Sequence, residues 1–222
     1  MLNVFCLYAG DAYSIEYVEN LVNGVKQNLK QDYVFHIFTD RKDQLAQLKL
    51  LGNVILLPKL NVPKLWWYKL YMFNKANIIT GPVLYLDLDV IIIGNLDKFV
   101  TIDNKLRIIH DFNRSNVAGG QYNKSNSSTM SWVFEHHTNM WGRFNENTDK
   151  YTSKMHGDQD FIHLFAANKE WWPDNWAISY KWEYCRNKLY DPSQTSILVF
   201  HGKPKPNDIT DVALKKIWQY NK

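Results

Sequence analysis

Asp87 and Asp89 stand one residue apart inside the apolar segment Val83-Leu84-Tyr85-Leu86-Asp87-Leu88-Asp89-Val90-Ile91-Ile92-Ile93. Side chains of an extended chain alternate faces, so both carboxylates are expected on one side, with a buried flank beside them. Two like charges this close repel and lose hydration unless a cation or protons neutralise them, and a divalent metal is the economical partner. An arbitrary Asp-x-Asp is usually a surface turn. Here the aliphatic run resumes directly after Asp89, which argues against an exposed turn and for a metal site.

A third ligand is expected from Ile197-Leu198-Val199-Phe200-His201-Gly202-Lys203-Pro204-Lys205-Pro206, where His201 closes a second apolar run. A lone His at a strand end more often just satisfies hydrogen bonds. The Gly and two Lys that follow it, in a loop stiffened by prolines, suit phosphates bridged by a metal. An imidazole beside two carboxylates favours Mn2+ over the alternative, Mg2+.

The elements that must position these groups follow from periodicity. Short apolar runs at 4–8, 34–38, 54–57, 83–86 and 90–93 alternate with helix-period segments, which predicts an α/β fold with a mixed, mainly parallel sheet. Ser14 is the expected N-cap of a helix carrying Ile15, Val18, Leu21, Val22, Val25 and Leu29 at helical spacing. Further helices are expected around 45–50, 65–73 (opened by Pro63), 133–144, 158–167 and from Asp208 or Asp211 onward, with strands at 107–109 and 197–200. The polar stretches 113–128 and 145–157 read as loops.

Composition bounds the rest. With 222 residues at 45% hydrophobic, one core and one domain are expected. The net charge of +4, from 26 basic and 22 acidic residues, speaks against a nucleic-acid coat or a polybasic membrane tail and suits an anionic ligand. The two cysteines, Cys6 and Cys185, are too few for a disulfide framework. No apolar stretch reaches the ~18 residues of a membrane span, and no leader is evident, so a soluble cytoplasmic protein is expected, with peripheral membrane contact left open. Oligomeric state is not legible. Nine Trp include the pairs Trp66-Trp67 and Trp171-Trp172. Most are expected in the core; Trp171 or Trp172, beside Pro173, is the preferred saccharide platform. Lys181 reads as a solvated residue at a strand edge.

Taken in order, these motifs resemble glycosyltransferase family 8 and its relatives, from Val4 to Pro206. Tyr8-Ala9-Gly10-Asp11-Ala12-Tyr13 is similar to the family's opening turn, whose Tyr stacks on uracil. Trp67-Tyr68-Lys69-Leu70 is similar to an aromatic-x-Arg-Leu motif, with Lys69 in place of the bidentate Arg. Tyr85-Leu86-Asp87-Leu88-Asp89 matches the acidic motif, Asp111 resembles an acidic residue near the donor sugar, and Asn126-Ser127-Ser128 resembles an Asn-Ser-Gly segment. Asp158-Gln159-Asp160 reproduces a helical motif, and His201-Gly202-Lys203-Pro204 is a shortened form of the family's C-terminal motif.

The resemblance implies one GT-A domain over 1–222, Rossmann-like and flanked by helices, with a nucleotide-binding half to about residue 100 and a sugar and acceptor half beyond. It implies a retaining, Mn2+-dependent hexosyl transfer from a UDP-sugar to a saccharide or other hydroxyl acceptor. The donor site would comprise Tyr8, Ala9, Asp11, Tyr13, Lys69, Asp87, Leu88, Asn126, Ser127, Gly202 and Lys203; the metal ligands Asp87, Asp89 and His201; the catalytic residues Asp158, Gln159, Asp111 and Lys203. Lys203 is preferred to Lys205 for the diphosphate because it lies nearer His201. Gln159 is a poor nucleophile, so a front-face displacement is implied. The alternatives are a nucleotidyltransferase acting on a sugar phosphate, though the first loop is acidic and aromatic rather than glycine-rich and basic, and a non-catalytic sugar-binding module.

Overall fold

The computed structural model describes residues 1–112 and 124–219. The first apolar run forms strand β1, Leu2–Tyr8, in which Val4 and Cys6 turn to one buried face while Phe5 turns to the other. Helix α1, Ile15–Asn28, follows, with Ser14 at its N-cap but making no side-chain cap hydrogen bond. Its buried stripe of Val18, Leu21 and Val25 lies in the same core as Val4 and Cys6. Strands β2 (Tyr33–Thr39) and β3 (Asn53–Leu56) add in parallel beyond β1, joined by helix α2, Leu45–Leu51.

On the other side of β1 lies the parallel strand β4, Pro82–Leu86. The chain then turns through 87–89 and enters β5, Val90–Ile92, which belongs to a different sheet. Strand β6 (Leu106–His110) and strand β7 (Ser125–Val133) extend the large sheet, with β7 antiparallel to both β4 and β6. After α3 (Asn139–Glu146), α4 (Thr148–Lys154) and α5 (Asp158–Phe165), strand β8 (Lys169–Trp171) pairs in parallel with β6. Among the described residues the large sheet therefore runs β3-β2-β1-β4-β7-β6-β8, the mixed, mainly parallel arrangement expected. A second sheet, β5-β10-β9, is built from β9 (Ala177–Ser179) and β10 (Ile197–Val199), and α6 (Val212–Gln219) ends the described chain. None of the described helices is long and apolar enough to cross a membrane.

Several expectations are corrected. The helix expected over 133–144 starts at Asn139, because β7 runs through Val133 with Met130, Ser131 and Trp132 all buried. Of the expected loop 113–128, residues 125–128 belong to β7 and 113–123 lie outside the described residues. The expected loop 145–157 contains α4. Residues Leu65–Phe73 form tight three-residue turns instead of an α-helix: the consecutive residues Trp67, Tyr68, Lys69 and Leu70 are all buried, leaving no solvent face for an amphipathic helix.

Candidate active site

The parallel strands β1 and β4 end at one edge of the sheet, where antiparallel β7 sets Thr129 opposite Leu86. The amide of Asp87 continues the ladder, donating to the Ser128 carbonyl at 2.8 Å, and that of Phe200, just past β10, donates to the Asp89 carbonyl at 3.0 Å. Residues 87–89 are thus clamped between the two sheets, at the crevice where ligands of open α/β sheets bind. A cavity of about 710 Å³ opens there, and Asp87, Asp89 and His201 all line it. The two carboxylates share that cavity because a turn aims them, not because an extended strand alternates them.

Each carboxylate is held by a lysine. Lys69, only 6% exposed, lies 3.0 Å from Asp87 Oδ1 and 3.5 Å from Asp158 Oδ2, and donates to Ser127 Oγ at 3.1 Å. Burial by itself would lower its pKa; Asp158 and Asp87 outweigh burial, and the net direction is up. The hydroxyl of Tyr85 donates to Asp87 Oδ1. Lys205 Nζ meets Asp89 Oδ2 at 2.5 Å and donates to the Tyr13 hydroxyl at 3.0 Å, while that hydroxyl donates to Asp89 at 2.9 Å. Burial, with the neighbouring Asp87, pushes the Asp89 carboxyl above its usual range against the pull of Lys205 and Tyr13.

Lys205 rather than Lys203 therefore reaches the acidic pair. Gly202, at φ +71, takes a left-handed turn that suits glycine, after which Lys203 points outward. The Lys203 side chain, expected at the diphosphate for its nearness in sequence to His201, is 80% exposed and pairs with Asp208 at 3.3 Å. His201 shares a 2.7 Å hydrogen bond between Nε2 and Ser179 Oγ, and its ring stacks on Phe112. Burial, aided by Lys181, lowers its pKa to about 4, so the imidazole is neutral near pH 7, the form able to bind a metal. Lys181 lies not at a strand edge but in the π-helical segment Tyr180–Arg186, close to Gly202.

On the sugar-facing side expected from the sequence, the register of β7 against β6 jumps from Met130 to Asn126, a bulge over Ser127–Thr129 that brings Asn126, Ser127 and Ser128 to the cavity. Ser127 Oγ donates to Asp158 Oδ2 at 2.6 Å. Burial raises the Asp158 pKa, opposed by Lys69. Gln159 also lines the cavity and donates to Asp111 Oδ2 at 3.4 Å; Asp111 itself stands behind it, outside the lining. Of the residues expected in the donor site, Ala9, Tyr13 and Leu88 line the cavity. Tyr8 does not: it is buried in the core, with its hydroxyl on Gln44. Asp11 is exposed, and with Gly202 and Lys203 it stays outside the lining.

A divalent cation is tested by these groups. The donor types fit one: two carboxylates and a neutral imidazole on one cavity. As arranged, no group of three or more His, Cys, Asp or Glu side chains among the described residues converges on one point, since Lys69, Lys205 and Ser179 already engage the three.

The two indoles expected as saccharide platforms lie away from the cavity lining. Trp172 is 4% exposed in the core, and Trp171 stacks on His110 with its indole N–H on Ser125, outside the cavity lining. Trp66 lines the cavity instead. The signals that could have singled out Trp66 and Lys205 were modest: an aromatic just before the Trp67-Tyr68-Lys69 motif, and a lysine locked between Pro204 and Pro206.

No protein-family model matches the sequence, and no curated protein shows significant similarity to it. Solved structures do match over almost the whole chain. The galactosyltransferase LgtC in complex with donor and acceptor sugar analogs superposes with a TM-score of 0.66 at 17% identity, covering 97% of this chain and 93% of that one. The apo form of the glycosyltransferase GlyE from Streptococcus pneumoniae TIGR4 gives 0.68 at 17% identity over 100% of this chain and 60% of that one. The bifunctional glycosyltransferase WbbM gives 0.70 at 12% identity over 99% and 49%. With the strand order and the clamped acidic turn already described, this likeness establishes that the chain has the GT-A, Rossmann-like fold of these glycosyltransferases.

Proposed function

We propose that the protein is a retaining glycosyltransferase that moves a hexosyl group from a UDP-sugar to a hydroxyl of a saccharide or similar acceptor, in one catalytic unit whose first half holds the nucleotide. The observation that carries this reading is the placement of Asp87, Asp89, Lys69, Lys205 and His201 around one cavity at the carboxyl edge of the sheet. Cations beside a cavity that must receive a diphosphate are the preorganised charges that a departing nucleotide needs.

Tyr13 offers its ring to the base, and Lys205 its ammonium to the diphosphate. Asp87, Asp89 and His201 would hold Mn2+, which when bound supplies positive charge to the leaving phosphates. Asp158 is committed to Lys69 and Ser127, and Gln159 is an amide, so neither is suited to attack the anomeric carbon from below. This supports a front-face course. The bond from the anomeric carbon to the diphosphate breaks, the acceptor oxygen bonds to the same face, and its proton passes to the leaving phosphate oxygen.

Calorimetry with UDP, with and without Mn2+, tests the reading: metal-dependent UDP binding is expected. Binding of free saccharide with no affinity for UDP would instead support a sugar-binding module.

A further inference from the structure

Trp66 keeps 41% of its surface exposed while lining the cavity, which puts this large apolar ring on the rim of the proposed active site. It is also pinned. A Cβ added to Gly157 would lie 3.0 Å from Trp66 Nε1 and 3.4 Å from Cδ1. The backbone of Gly157 is extended, at φ −173, a conformation open to any residue. What glycine provides there is room for the indole. Leu65, one residue earlier, is seated in the same way on Gly10. Two adjacent side chains of this segment thus pack on glycines, and the edge of the indole rests against Gly157.

The place where it is held matters. Gly157 immediately precedes Asp158 and Gln159, the first residues of α5, so the indole rests on the turn that delivers the proposed sugar-side residues. His156, Gln159 and Lys64 line the same wall, and Lys64 Nζ lies 5.8 Å from the indole centroid. A sugar ring presents a face of C–H groups and an edge of hydroxyls; an exposed indole bordered by an imidazole, an amide and an ammonium matches both.

We propose that Trp66 is the platform on which the acceptor saccharide stacks, with Gly157 positioning it. This rests on the glycosyltransferase reading, and the test separates the two. The protein is labelled with 5-fluorotryptophan, and the Trp66 resonance is identified by its loss in Trp66→Phe. Lactose, maltose and the p-nitrophenyl glycosides of glucose and galactose are then titrated with and without UDP. At least one saccharide is expected to shift the Trp66 resonance. For that saccharide Trp66→Ala should raise KM at least tenfold, with UDP affinity within twofold of wild type, and Trp66→Tyr should recover most of the loss. Gly157→Ala should move the Trp66 resonance before any sugar is added and raise KM part of the way. Absence of any saccharide-dependent shift at Trp66 would overturn the proposal. So would a parallel loss of UDP affinity in Trp66→Ala, which would make the ring part of the donor site. Failure of the wild type to bind UDP, with the saccharide shift at Trp66 intact, would overturn the glycosyltransferase reading and with it the acceptor role, leaving Trp66 as a saccharide-binding ring.

Discussion

Lys205 closes on Asp89 across 116 residues of sequence, with Nζ 2.5 Å from Oδ2, and the Tyr13 hydroxyl completes the contact from the opposite end of the chain. Three segments that share no local periodicity are joined at one buried carboxylate. Because Lys205 is a cation aimed into the cavity while Lys203 is solvated, the two lysines should behave differently when removed.

Lys205→Met is expected to destabilise the fold by about 2–4 kcal/mol, because it leaves Asp89 buried without its ammonium. It should also abolish most transfer. Lys203→Met breaks only an exposed pair and should leave stability close to that of the wild type. Urea denaturation and turnover with a UDP-sugar measure both; a larger effect at Lys203 on either would reverse the assignment.

Asp87→Asn and Asp89→Asn should each abolish Mn2+-dependent turnover, and chelation should do the same to the wild type. Their stabilities should differ. Asp87→Asn strips a buried lysine of its nearer partner, and a loss of about 2–3 kcal/mol is expected, at the low end for a broken buried pair because Asp158 remains 3.5 Å from Lys69. Asp89→Asn should cost less, since Lys205, with 23% of its side chain exposed, can turn to water. Denaturation midpoints of the two variants decide the order, and equal losses would contradict the role given to Lys69.

Tyr13 combines a ring and a hydroxyl with separable uses. Tyr13→Ala should weaken UDP binding by roughly 1–3 kcal/mol, the scale of a base-aromatic stack. Tyr13→Phe keeps the ring and removes the hydrogen bond to Asp89, so UDP affinity should fall by well under half of that amount. Calorimetry on both variants separates the contributions. A Phe variant as weak as the Ala variant would assign the loss to the hydroxyl and remove the base-stacking role.

His137, 1% exposed, is held neutral by burial, with its pKa lowered to about 4. The folded pKa lies below the unfolded value of about 6.5, so the unfolded state binds the extra proton between them. Its contribution to stability is present above pH 6.5 and is lost as the pH falls towards 4. From pH 7 to pH 5 this one residue should remove about 2 kcal/mol. His201 is shifted the same way, so the measure is the difference between proteins: in urea titrations at pH 7, 6 and 5, His137→Gln should lose less stability than the wild type by about that amount, and equal losses in the two would exclude His137 as a source.

Much of this protein is written locally. The alternation of Val4, Phe5 and Cys6, the stripe of α1 and the apolar run of β10 each announce an element, because burial of one face or both imposes a period that the sequence must carry. The aspartates at 87 and 89 are legible for a related reason: charges inside an aliphatic run need partners, wherever those partners come from. The partners themselves are not legible. That Lys205 and not Lys203 meets Asp89 depends on a left-handed turn at Gly202 and on the packing of two sheets. That Asp87 and Asp89 share a cavity depends on the turn that carries the chain from one sheet to the other. Strand β7 is not legible because Ser125, Ser127, Thr129 and Ser131 are polar yet buried, in a bulged backbone ladder that only its neighbours on both sides create. Trp66 reads as one more core indole until Gly157, distant in sequence, leaves room for it at the rim. Periodicity reports what each segment buries, whereas the meeting of distant segments is set by the packing of the whole chain.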